Sequence, residues 1–324
     1  MSTQIGRRIQ VGLAKETTRG TAEASATYWL PKVDFDFKEI AEYAVDESGI
    51  GQIEARKDAE VVKQLGEGSF GGIIYDRPFG LLLGAALGTW SSGDVADSSY
   101  THTFTVLNTN QHPALTLFPK DANIDEKHAL GMLSQLTINC ALEDYVRYNV
   151  GFISKMGAST SSTPSYSTDD LSFLAQHITV KFADSIAALG TASESTLRNV
   201  NLTINKNPEA WMSLGDKEPT DIPNKQFSVS GDLEAIFDDT IYRDYVIDGS
   251  QKACEIAIEN TDETIGTSSN PKLTFTLAPM NFRDWGRGTG QDDITTQTVA
   301  FDGNFSLSQS KMIEAELVNT VESY

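Results

Sequence analysis

The stretch Lys63–Asp76, KQLGEGSFGGIIYD, recurs in altered form at Lys225–Asp238 as KQFSVSGDLEAIFD. The two align without a gap, 162 residues apart. Lys-Gln opens both, and Ile74-Tyr75-Asp76 faces Ile236-Phe237-Asp238. Each runs into a segment that reads as a short helix stopped by glycine, RPFGLLLGAALG after the first and DTIYRDYVIDG after the second. In the first segment Phe79, Leu82, Leu83, Ala86 and Leu87 fall at helical spacing, Pro78 suits a first turn and Gly88 a left-handed stop. Asp76 and Asp238 stand where an aspartate caps a helix. Gly66, Gly68, Gly71 and Gly72 suggest bulges or close backbone approach within a strand. A phosphate cradle would need a following Lys-Ser/Thr, which is missing, and the second copy keeps only Gly231. What both copies keep is a strand-to-helix joint, so the stretch reads as scaffold used twice.

Further matches lie in the same order on either side. IQVGLAKETTRGTA from Ile9 faces ITVKFADSIAALGTA from Ile178, and FDFKEIAEYAV from Phe35 faces LTINKNPEAWM from Leu202. HPALTLFP from His112 faces NPKLTFTLAP from Asn270, and VRYNVGFIS from Val146 faces MIEAELVNT from Met312. Alternating apolar residues such as Val33, Phe35 and Phe37 mark half-buried strands. Residues 45–62, with two glycines and mixed charge, read as a long connection between strands, and 121–131 as a loop. The stretch 156–170 is rich in Ser and Thr and reads as a linker. The expected organisation is mainly β: an N-terminal arm at 1–8, one unit at 9–155, the linker, and a duplicated unit at 171–324, each unit with one short flanking helix.

Composition narrows the function. No apolar run approaches a membrane span. The two cysteines and four histidines lack the spacing of a disulfide scaffold or a metal motif, and no GxSxG or HExxH string occurs. No catalytic, cofactor-binding or metal residue is therefore expected. Net charge is −20, split −6 and −14 about residue 165. Such a chain does not bind DNA by neutralising phosphate.

The string VGLAKETTRGTA, then YWLP, VDFDF, a charged connection and GSFGGIIYDRPFGLLLGAALG, resembles tail tube proteins of long-tailed (siphovirus-type) bacteriophages, most strongly over residues 9–90. The resemblance implies β-sandwich or barrel domains, rings of six such domains stacked into a tube, and no active site. It implies as partners further copies of the chain, a tape measure protein, and tail terminator and distal tail proteins. A duplicated chain would need three copies per ring. Genomic DNA would pass through the lumen without specific binding, repelled by acidic walls.

The candidates for ring or stacking contacts lie in the N-terminal arm and strand (Arg7, Arg8, Lys15, Glu16 and Arg19) and in the long connection (Asp46, Glu47, Ile50, Ile53, Glu54, Arg56, Lys57 and Asp58). Trp211, Lys217 and Glu218 occupy the connection at 206–224, expected to mirror 45–62. The competing reading is a two-domain β-sandwich that binds carbohydrate or a surface through a platform of Trp285, Trp211 or Tyr43.

Overall fold

The computed structural model describes residues 5–96, 98–288 and 290–324, so Met1–Gln4 of the expected arm lie outside it. The first half contributes β1 (Gln10–Lys15), β2 (Tyr28–Leu30), β3 (Lys32–Asp46), β4 (Asp58–Ile73), α1 (Phe79–Leu87), β5 (Ser91–Ala96), β6 (Ser99–Thr105), β7 (Leu115–Lys120), β8 (Glu126–Ala141), β9 (Arg147–Ser154) and β10 (Gly157–Ser159). The second contributes β11 (Ile178–Ala183), α2 (Ile186–Leu189), β12 (Leu197–Asn205), β13 (Ser228–Ile236), α3 (Ile241–Asp248), β14 (Gln251–Glu259), β15 (Lys272–Gly288), β16 (Thr296–Gly303) and β17 (Ile313–Asn319). The fold is mainly β, as the alternating pattern requires.

Two long strands organise it. β8 pairs with β7 and β10 up to Gly131, then with β9 and β12 from Met132 onward. β15 pairs with β14 and β17 over its first residues and with β16 from Met280 onward. Each long strand thus exchanges partners along its length, and β8 in this way joins two sheets of a sandwich. Strand order β3-β4-β9-β8 recurs as β12-β13-β16-β15, and the runs join antiparallel at β8–β12. The join is continuous with the core: Leu136, Ile138, Cys140, Val200, Leu202 and Ile204 are all buried in one apolar cluster. A second crossing comes from β6, which pairs with β17 and so lends the first half's β5–β6 hairpin to the second half's sheet.

This topology corrects two of the matches made by pattern. HPALTLFP forms β7 beside β1, and the strand in that place beside β11 is β14, not the start of β15. VRYNVGFIS forms β9 between β4 and β8; its place in the second run is taken by β16, not by MIEAELVNT. Every half-buried strand shares a period of two, so alternation alone matches any strand to any other. The opening stretch also slips by one residue: buried Phe70 corresponds in depth to buried Leu233, whereas Asp232, its partner in the gapless alignment, is exposed. The residues read as a loop at 121–131 include the start of β8, and Gly157–Ser159 of the Ser/Thr-rich stretch is paired to it.

The glycines of β4 serve close packing. Gly68 has φ of +153°, and a Cβ there would lie 2.0 Å from the Asp36 carbonyl oxygen. α1 is apolar all round and all nine of its residues are buried against β1, β6 and β8. Its left-handed stop is Gly88, as the pattern requires. α3 is amphipathic and has no fully buried residue; Tyr242 and Tyr245 lie against Phe282. Asp76 is not a helix cap. Pro78 holds the N-cap without a side-chain bond, and Asp76 is buried with its Oδ1 accepting from the Leu171 amide at 2.7 Å.

Candidate assembly surfaces

The strand run β3-β4-β9-β8-β12-β13-β16-β15 presents one face to the core and the other outward. In the middle the outward side chains are uncharged and polar: Thr137, Asn139 and Asn149, then Asn199, Asn201 and Thr203. The Thr137 and Thr203 hydroxyls meet at 3.2 Å across the β8–β12 join. Carboxylates flank this strip, Asp34, Asp36 and Glu67 on one side and Asp232, Glu234 and Asp302 on the other. Of the cations there, Arg147 is held by Asp144 at 2.9 Å and Arg283 by Asp302 at 2.6 Å. Lys38 lies on the same side of β3 as Asp36. The face is therefore a hydrophilic surface whose net potential is negative, unsuited to holding phosphate.

The run has two open margins. Among the described residues β3 pairs only with β4, and β15 from Phe282 onward pairs only with β16. Unpaired strand margins template addition of another strand unless covered.

The charged connection between β3 and β4 is the tip of a long hairpin. Residues 47–57 project from it; Lys57 and Asp46 close its neck with an ion pair at 3.3 Å, and the Asp46 carboxylate takes the Ser48 amide at 2.9 Å. Glu47, Glu54, Arg56 and Asp58 are exposed, and Ile50 and Ile53 are 62% and 100% exposed. Two isoleucines so fully in water cost solvation unless they are covered in an assembly. Arg7 and Arg8 sit in an exposed turn.

The connection after β12 does something else. Instead of projecting like 47–57, residues 206–224 fold back across the first half. Ile222 is buried with Ala114, Leu130 and Met132, and the Lys217 carbonyl takes the Gln64 amide at 2.7 Å. Arg19 clamps it, donating to Asp221 Oδ1 from Nε at 3.0 Å and Nη2 at 2.7 Å, to the Ile222 carbonyl, and to the His112 carbonyl. Lys217 and Glu218 remain exposed, as does Trp211 at 64%.

Three expected contact residues are instead committed within the chain. Arg19 is the clamp just described. Glu16 is buried and accepts from the Gly20 and Leu130 amides and the Thr116 hydroxyl; burial pushes its carboxyl above the ordinary range despite these bonds. Lys15 reaches the Tyr324 carbonyl at 3.1 Å and lies over the Trp90 ring. Charged types at 15–19 look like surface in sequence; only the tertiary partners, far along the chain, reveal them as ties within the fold. The carbohydrate platform fares no better. Trp285 is half-buried with its Nε1 bonded to Gln297, and among the described residues no ring pair joins it to Trp211 or Tyr43.

Sequence spacing offers no metal motif, yet the fold gathers Glu39, Glu126 and His128 at one place, their ligand atoms within 4.8 Å of one another. The signal was unreadable because Glu39 comes from β3 and the other two from β8.

Comparison with known proteins follows the same line. The family model described as phage tail tube protein matches residues 6–303. No curated protein matches the chain.

Proposed function

The chain belongs to the phage tail tube protein family, and from that premise we propose that it closes rings by adding the β3 margin of one copy to the β15 margin of the next. It is a structural protein of the virion tail. The observation that carries the proposal is the β8–β12 join. There the chain already pairs the last strand of one four-strand run with the first strand of another, and the same two strand types stand open at its margins. Three copies would then make a ring with pseudo-sixfold symmetry, a heterologous contact that closes. Closure removes both open margins at once.

The outward polar face of the run becomes the lumen wall in this arrangement. Its amides and hydroxyls offer DNA no fixed charge, and its carboxylates repel phosphate, so the genome slides. The hairpin tip at 47–57 reaches a neighbouring ring or subunit. The tape measure, terminator and distal tail proteins of the virion are the further partners of the finished tube.

The internal join supplies the register to test. Thr137 stands opposite Thr203; carrying the paired strands over by position in their runs places Lys38 of one copy opposite Gly286 of the next. A Lys38→Cys/Gly286→Cys variant should form intermolecular disulfides on oxidation and run as closed oligomers on non-reducing gels. Thr137→Cys/Thr203→Cys should cross-link only within the chain. Negative-stain images should show rings or tubes in the first case. A protein that stays monomeric at all concentrations and yields no intermolecular disulfide at Lys38–Gly286 or its one-residue slips sinks the reading.

A further inference from the structure

We propose that Glu39, Glu126 and His128 form a binding site for a divalent transition ion of the zinc class, one that ties the edge strand β3 to β8 and β10. Glu39 lies on the core side of β3, opposite Gly66, although at the margin of the sheet. Glu126 and His128, two residues apart on β8, point the same way. Their donor atoms converge within 4.8 Å.

The imidazole is set up as a ligand. His128 is 1% exposed, and its Nδ1 lies 3.1 Å from the Lys155 carbonyl oxygen. A carbonyl only accepts, so Nδ1 carries the hydrogen, and Nε2 is the ring nitrogen turned toward the carboxylates, the one a metal would take. That is the tautomer metal-binding histidines adopt when their far nitrogen is held by a carbonyl. Among the described residues Nε2 has no hydrogen-bond partner: Glu126 Oε2 is 3.7 Å away, too far for one. The Phe37 ring stands edge-on to the imidazole at 5.1 Å and fixes its plane. Glu39 Oε1 accepts from the Gly157 amide at 2.9 Å, which orients that carboxylate and leaves its other oxygen for a ligand.

Gly157 supplies a second, independent observation. A Cβ at that position would lie 2.8 Å from Glu126 Oε2 and 2.9 Å from His128 Nε2. The missing side chain is what keeps the space beside both donors open. The group borders a cleft of about 290 Å³ that also reaches Ile9 and Lys120, so an ion can enter and keep water ligands. Of the neighbouring ammonium groups, Lys120 is engaged by Asp125 at 2.5 Å and Lys127 by the Glu23 carbonyl at 3.3 Å, while Lys38 lines the rim of the cleft. Two carboxylates and an imidazole thus share one place. One nitrogen and two oxygen donors suit zinc, with open positions left for water.

The test uses the full chain, freed of metal with a chelator and titrated with zinc chloride by calorimetry. Cobalt(II) serves as a spectroscopic stand-in. One zinc per chain should bind, and Tm should rise with the logarithm of zinc concentration. Glu39→Gln and Glu126→Gln, which preserve shape, should each weaken zinc at least about tenfold, since even outer-shell losses cost that much. Asp36→Asn, on the opposite face of β3, should leave it unchanged. Cobalt should give d–d bands of a nitrogen–oxygen site that both glutamine variants alter. Absence of binding at millimolar zinc overturns the proposal. So does zinc binding that both glutamine variants retain, whether or not His128→Asn folds.

Discussion

Replacing Asp76 by asparagine should stabilise the protein at pH 8 and do little at pH 4. Asp76 lies in the turn between β4 and α1, at the strand-to-helix joint, and it is 1% exposed. Its Oδ1 takes the Leu171 amide, but among the described residues Oδ2 has no partner. Burial pushes its carboxyl from the ordinary 3.8 up to about 7, and the nearby Asp170 adds to this against the Leu171 and Arg77 bonds. The folded state therefore keeps a proton that the unfolded chain releases first. Between about pH 4 and pH 7 the folded form binds more protons, so stability falls as pH rises, and it levels off above pH 7. At about 1.4 kcal/mol for each pH interval, the loss reaches roughly 4 kcal/mol. Asparagine keeps the acceptor for Leu171 and carries no charge, so the variant escapes the loss. For a chain of this length that corresponds to roughly 6 °C in Tm at pH 8. Urea unfolding of both proteins at pH 4, 6 and 8 measures it. A variant less stable than wild type at pH 8 would mean that the ionised carboxylate gains more from the Leu171 bond than its burial costs, and the reasoning fails.

Replacing residues 47–57 by a two-residue Asn-Gly turn should leave circular dichroism and Tm within experimental error, because no residue of the tip is buried, but should abolish tube growth in sedimentation assays. Normal polymerisation of that variant removes the tip from the stacking contact. Arg19→Met breaks the clamp on Asp221 and leaves the His112 and Ile222 carbonyls without it; a loss of about 2–4 kcal/mol is expected by urea unfolding, with Asp221→Asn much less than additive in the double mutant. Lys206 is buried with its ammonium held by the Ala85 carbonyl at 2.6 Å, and burial lowers it from 10.5 to about 7. The unfolded chain then binds more protons between pH 7 and 10, so stability should rise with pH there, and Lys206→Met should flatten that rise.

How much of this was legible depends on whether a feature is local. The strand-to-helix joint, the Gly88 stop and the buried character of α1 follow from spacing within a dozen residues, and the structure agrees. The length of the projecting connection at 45–62 was also readable, since neither strand pattern continues through it; the hairpin arms extend further into it than the pattern implies, with β3 running to Asp46 and β4 starting at Asp58. What failed was long-range assignment. Strands of period two carry no label for their neighbours, so β7 was matched to the start of β15 and β9 to β17. The residues Lys15, Glu16 and Arg19 read as surface because their partners, Tyr324, Leu130 and Asp221, lie more than a hundred residues away. The Glu39–Glu126–His128 group was invisible for the same reason.

The two halves use equivalent connections in opposite ways, and that contrast bears on how assembly begins. The connection after β12 is spent inside the chain: it buries Ile222 and is clamped by Arg19 over the half to which β12 is paired. The connection after β3 sits at the same place in its run but has nothing among the described residues to grip, since β3 has no strand beside it on that side there. It stands free with Ile50 and Ile53 exposed. If a neighbour's β15 pairs with β3, that connection gains the partner its counterpart already has. Pairing and gripping would then form together, and the margin would stay inert until both are offered. A monomer whose open margin is flanked by charge and an unmated hairpin avoids indiscriminate strand addition for this reason. The internal join has no such barrier, because its two strands are held at high effective concentration by one chain. In the proposed assembly the order of events follows: the β8–β12 join forms with the fold, and the β3–β15 contact would form only on encounter with another copy.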